Sequence, residues 1–146
     1  MVVTSPPDDD HPHASIESGY KRVQKRAAAA SLIDADNAAD ERELDDALHR
    51  VRKAAKRLRY VAAANGNPKV SERAKTIQSL LGDHQDSVVS RGHLSERART
   101  AHAAGEDTFT YGLLYQQETD LAQRSRDQLE DALHALKRSA RAARGK

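Results

Sequence analysis

The stretch LHRVRKAAKRLRY, residues 48–60, decides how the chain is read. Six Lys or Arg fall between residues 50 and 59, in a chain whose formal net charge is only +2. On a helical wheel of about 100° per residue, Arg52, Lys53, Lys56, Arg59 and Tyr60 lie within roughly 80° of His49, with Arg57 and Arg50 at the margin. Val51, Ala54, Ala55, Leu58 and Val61 take the other side. The segment therefore reads as an amphipathic helix whose cationic face holds no Asp or Glu. Cations three or four residues apart repel by about 0.2–0.5 kcal/mol per pair. A bound polyanion relieves that repulsion, and so do acids on a neighbouring helix.

Outward from this segment the helical signal continues. The periodicity predicts helix one from about Ala14 to Leu32, with Ile16, Tyr20, Val23 and Ala27 on one face. Helix two is expected over Ala38–Ala64, carrying Leu44, Leu48, Val51, Leu58 and Val61. Gly66 suits the left-handed position after its end, Asn67 suits a cap, and Pro68 suits the first turn of helix three. Helix three is expected from Pro68 to about Ala103, with Ile77, Leu80, Leu81, Val88, Val89 and Leu94, and helix four from about Thr108 to Arg144. No stretch sustains the period-two pattern of a strand. The expected fold is all-α, an up-down four-helix bundle spanning 14–146. Residues 1–13, with three Pro and three Asp, read as a disordered lead-in.

Composition narrows the function. The chain of 146 residues suits one domain and has no Cys, which excludes disulfides and thiolate metal sites. No apolar run approaches the roughly 20 residues of a membrane span. The N-terminus lacks the basic and apolar regions of a signal peptide, so a soluble, cytoplasmic protein is expected. Acids cluster at 8–10 and 34–46, and bases at 21–26, 50–59 and 137–146. Opposite charges in separate blocks point to a distinct positive surface.

The pattern His49, Arg52, Lys53, Lys56, Arg59 has an echo in His134, Lys137, Arg138, Arg141, Arg144. Two helices thus have the means to present basic stripes to one groove, with Arg22, Lys25 and Arg26 of helix one beside them. Arg offers paired donors to phosphate oxygens and Lys a mobile charge. Only five aromatic residues occur, which disfavours single-stranded nucleic acid, whose bases stack on rings. Duplex nucleic acid, held by its phosphates alone, stays open as an alternative. So does a structural reading in which the basic face pairs with the acidic stretch 34–46 of a second copy.

LHRVRKAAKRLRY, followed by IQSLLGDHQDSVV at 77–89 and preceded by GYKRVQKRA, resembles the CHAD family of helical domains, over about residues 15–146. The resemblance implies one half of a CHAD domain and non-catalytic binding of inorganic polyphosphate in a basic channel. It assigns the channel-lining role to His49, Arg52, Lys53, Lys56, Arg57 and Arg59, with Arg22, Lys25 and Arg26 of helix one and Lys137, Arg138 and Arg141 of helix four as further contributors. It also implies association with polyphosphate granules. Family members have two such halves, and this sequence carries one basic helix of the second-half type. A homodimer that rebuilds the channel, a complementary half elsewhere, or a lone half with an open surface are the three ways to satisfy that pattern.

The motif LLGDHQDSVV offers Asp83, His84 and Asp86, a poor match to zinc spacing. Asp86 is expected to pair with a cation on another helix, Gly82 to allow a close approach or a bend, and His84 to be exposed or to reach the channel. No P-loop, nucleophile elbow or HExxH motif occurs, so no enzymatic activity, cofactor or metal is expected.

Overall fold

The computed structural model describes residues 15–33 and 37–144, without the side chains of Ala38 and Arg144. The expected lead-in, the start of helix one at Ala14 and the acids Asp34 and Asp36 lie outside the described residues. Four helices follow in order: α1 (Ile16–Ser31), α2 (Ala38–Ala64), α3 (Pro68–Ala103) and α4 (Phe109–Arg144). No strand occurs among the described residues.

Local chemistry sets each boundary. The Ser15 hydroxyl accepts from the Ser18 N–H at 3.0 Å and starts α1. The Asn37 side chain accepts from the Asp40 N–H at 3.0 Å and starts α2, where Asp40 and Glu41 complement the helix dipole. The α2–α3 turn closes as the sequence predicts. Gly66 takes φ 72°, its N–H donates to the Ala63 carbonyl, and the Asn67 N–H donates to Ala62 at 2.8 Å. Asn67 then accepts from the Val70 N–H at 3.1 Å, with Pro68 in the first turn of α3. Gly105, at φ 78°, ends α3 in the same way.

The helices form a ring in which α1 packs on α2, α2 on α3, α3 on α4, and α1 more lightly on α4. The core is built from small side chains, Ala47, Ala54, Ala55, Ala62, Ala74 and Ala132, around Val23, Val51, Leu58, Val70, Ile77 and Leu136. Such residues bring helix axes close together, which is how a chain poor in large apolar residues fills an interior. At about 1.5 Å per residue, α3 and α4 are about 54 Å long, α2 about 40 Å and α1 about 24 Å. The α3–α4 hairpin therefore overhangs the other two helices at the end away from Pro68. Val89, one of the apolar residues read along helix three, is 55% exposed. No helix among the described residues is long and apolar enough to cross a membrane.

Candidate functional site

The site begins where α1 crosses α2. Gly19 is buried against Leu58, and a Cβ on it would meet Leu58 Cδ1 at 3.0 Å. The missing side chain lets the two backbones approach. Further along the same crossing lies a cleft of about 390 Å³ lined by Arg22 and Arg26 of α1 and by Arg50, Lys53, Ala54 and Arg57 of α2. Five of its six lining residues are cations, and none is an acid. Arg50, Lys53 and Arg57 follow an i, i+3, i+7 spacing, so they share one face and span about 10.5 Å along the axis. Among the described residues, no carboxylate lies within 4 Å of any of these five cations.

The cationic face of α2 is thus divided three ways. Lys53 and Arg57, with Arg50, turn toward α1. Arg52 and Arg59 turn toward α3 and are anchored there. Arg52 Nε donates to the Gln78 carbonyl at 3.3 Å, and its guanidinium rests where Gly82 has no side chain. Arg59 Nη1 donates to Gln78 Oε1 at 3.2 Å, and its guanidinium carbon sits 5.4 Å from the centre of the Tyr60 ring. Lys56 and Lys25 are exposed and line no described recess. His49 is exposed on the edge of a separate groove between α2 and α3, beside Asp45 and Asp46.

The basic stripe of α4 goes to a different place. Lys137 and Arg141 line a groove of about 350 Å³ between α1 and α4, with Tyr20, Lys21 and Gln24 opposite. His134 and Lys137 line a smaller recess beside it. Arg138 is exposed. The α2 and α4 stripes therefore flank α1 on two sides instead of meeting in one groove.

Arg50 belongs to the cleft although the wheel centred on His49 left it at the margin. The signal was its i+3 and i+7 spacing to Lys53 and Arg57. His84 differs from both of its expected placements. It is 3% exposed, its Nε2 lies 3.9 Å from Asp45 Oδ1, and Arg91 and Arg126 stand nearby. Burial, and then the Arg126 and Arg91 charges, pull its pKa down to about 4, so it is neutral at pH 7. Burial raises the Asp45 pKa, against the pull of Arg91. At 3.9 Å and with a neutral imidazole, this contact is neither a hydrogen bond nor an ion pair at neutral pH. Asp86 is exposed and has no cation within 4 Å among the described residues. No group of three or more His, Asp or Glu side chains among the described residues is placed to hold a metal ion.

The CHAD domain family profile matches residues 5–95, a span that holds α1, α2 and the DHQD motif of α3. Two Mycobacterium tuberculosis proteins, the uncharacterized protein MT2285 of strain CDC 1551 / Oshkosh and the uncharacterized protein Rv2226 of strain ATCC 25618 / H37Rv, are each 59% identical to the chain over 130 residues. Each match covers 89% of this chain and 25% of the relative, so the chain spans about a quarter of the length of the curated relatives it matches. No solved structure matches the chain.

Proposed function

The chain belongs to the CHAD domain family, and from that premise we propose that it binds inorganic polyphosphate, without turning it over, in the cleft between α1 and α2. The observation that carries this reading is the cleft lining: Arg22, Arg26, Arg50, Lys53 and Arg57 around Ala54, with no acid among them. Five cations at helical spacings along a recess suit a linear chain of phosphates lying parallel to the helix axes. Four of the five are Arg, whose planar donors match pairs of phosphate oxygens. Arg52 and Arg59 add positive potential from fixed positions beside the cleft, and Lys56 and Lys25 from its solvent side. Lys137, Arg138 and Arg141 extend the positive field past α1. Cytoplasmic polyphosphate granules are the corresponding location.

Calorimetric titration with long-chain polyphosphate at low salt tests the proposal. Binding is expected, and Lys53→Glu with Arg57→Glu is expected to abolish it with helicity unchanged. Folded wild-type protein that releases no heat and binds no polyphosphate at low salt ends the reading. Duplex nucleic acid is the competing ligand. A duplex is too wide to enter the recess and meets only its rim, so polyphosphate is expected to displace DNA readily.

A further inference from the structure

α1 and α4 pack only lightly on each other, and the space they leave open is lined differently from the cleft on the other side of α1. The groove of about 350 Å³ and the recess of about 180 Å³ beside it share Tyr20, Gln24 and Lys137, so they form one trough. It runs about 16 Å along α1, from Ile16 to Ala27. Its volume falls in the range of about 300–1,000 Å³ typical of small-molecule sites. Ala140 and Ala143 of α4 keep one end low and apolar.

The polar groups are sorted between the two walls. Tyr20 and Gln24 are four residues apart on α1, so they lie one above the other on the trough face. Lys137 and Arg141 are four apart on α4 and stand about 6 Å from each other along the axis. Among the described residues, none of these four side chains has a hydrogen bond or an ion pair. The two acids of the trough do not cancel its cations. Glu17 pairs with Lys21 at 3.9 Å, and Glu130 stands about two turns from Lys137, at the far end.

Each of the four groups suits a different part of one ligand. A Tyr ring stacks on a planar base. The Gln amide carries a donor and an acceptor side by side, which match N6 and N7 of adenine. Lys and Arg hold phosphate oxygens, and a phosphate relieves the repulsion between the two cations. A bare polyphosphate leaves the ring and the amide unused, and a fatty acid brings one charge to two cations. We propose that the trough binds an adenine nucleotide, with the base on the Tyr20 ring, its edge toward Gln24, and the phosphates against Lys137 and Arg141. The site lies across α1 from the cleft and does not depend on the ligand proposed there.

Calorimetry with ADP in magnesium-free, low-salt buffer is expected to show one site per chain. GDP has an acceptor where adenine has its amino group, so it is expected to bind about tenfold more weakly, and Gln24→Ala is expected to erase that difference. Tyr20→Leu keeps the apolar contact with the core and loses the stacking face, and is expected to weaken ADP binding about tenfold. Lys137→Gln with Arg141→Gln is expected to abolish binding at unchanged helicity, whereas Lys53→Gln with Arg57→Gln, across α1, leaves it unchanged. Folded wild-type protein that binds no ADP overturns the site. So does ADP binding that Lys53→Gln with Arg57→Gln removes and Tyr20→Leu does not, because the phosphates alone are then held in the α1–α2 cleft. Equal affinity of the wild type for ADP and GDP overturns the placement of the base at Gln24.

Discussion

Arg52 of α2 donates through Nε to the Gln78 carbonyl of α3 at 3.3 Å, above the space that Gly82 leaves empty. This cation is a tie between helices as well as a charge near the cleft. Arg52→Ala is expected to lower stability by about 1–2 kcal/mol through the lost hydrogen bond and the lost packing of its stem. Arg52→Lys keeps the charge and loses the planar donor, so it recovers the positive field and only part of the stability. Urea unfolding of both variants beside a polyphosphate titration separates the two roles. An Arg52→Ala variant of wild-type stability would show that the tie contributes nothing.

Gly19 controls how closely α1 lies on α2. A side chain there meets Leu58 Cδ1 at 3.0 Å, with Leu58 Cβ at 3.7 Å and Cα at 3.8 Å behind it. Alanine gains helix propensity and needs only a small shift of a side-chain end. Valine adds two methyl groups where backbone stands close behind, and is expected to cost about 2 kcal/mol. The same displacement carries Arg22 and Arg26 away from Lys53 and Arg57. Gly19→Val is therefore expected to weaken polyphosphate binding without changing a charge. Unchanged affinity in that variant would detach the cleft from the binding site.

Salt dependence counts the phosphates held. For a single-stranded polyanion each neutralised phosphate contributes about 0.7 to the slope of log affinity against log salt. Five cleft cations give an expected slope of about −3.5. Lys53→Gln with Arg57→Gln is expected to reduce its magnitude by about 1.4, whereas Lys56→Gln, whose side chain lies outside the cleft, leaves it nearly unchanged. Equal effects of these two variants would mean that the whole face of α2 binds diffusely.

These contrasts also mark what the sequence holds. The α2–α3 turn was legible because its chemistry is local: Gly66, Asn67 and Pro68 each have one good use at that point. The cationic face was legible for a similar reason, since charge and a 3.6-residue period are written along one helix. Its division was not. Whether Lys53 faces the same space as Arg22 depends on how α1 crosses α2, which the close Gly19–Leu58 approach and the packing of Val23 and Ala30 set together. The two basic stripes looked alike in sequence, yet α1 lies between them. Val89 fits an apolar pattern but stands about 100° round the helix from Val88, off the line of Ile77, Leu81 and His84, so it reaches only the rim of the α2–α3 groove. His84 follows Ile77 and Leu81 at core spacing; that period, rather than the polarity of its motif, was the sign that it is buried.

His84 gives the chain a measurable sensitivity to acid. Its folded pKa, about 4, lies below the ordinary value of 6.5. The unfolded chain therefore takes up the proton first, and stability falls as pH drops from 6.5 toward 4. A shift of this size sets a ceiling of about 3.4 kcal/mol, and about 2 kcal/mol is the expected loss once Arg91 and Arg126 rearrange around the new charge. Asp45 acts in the opposite sense. Its raised pKa means that the folded state accepts its proton first, which offsets part of the loss at the acid end. His84→Gln isolates the histidine, because it keeps a polar side chain of similar reach and removes the titration. Urea unfolding of both proteins at pH 7 and at pH 4.5 is the measurement. The wild type is expected to lose about 2 kcal/mol more than His84→Gln over that interval. If the two curves run parallel, His84 has no part in acid lability and the Asp45–His84 contact is a mere neighbour.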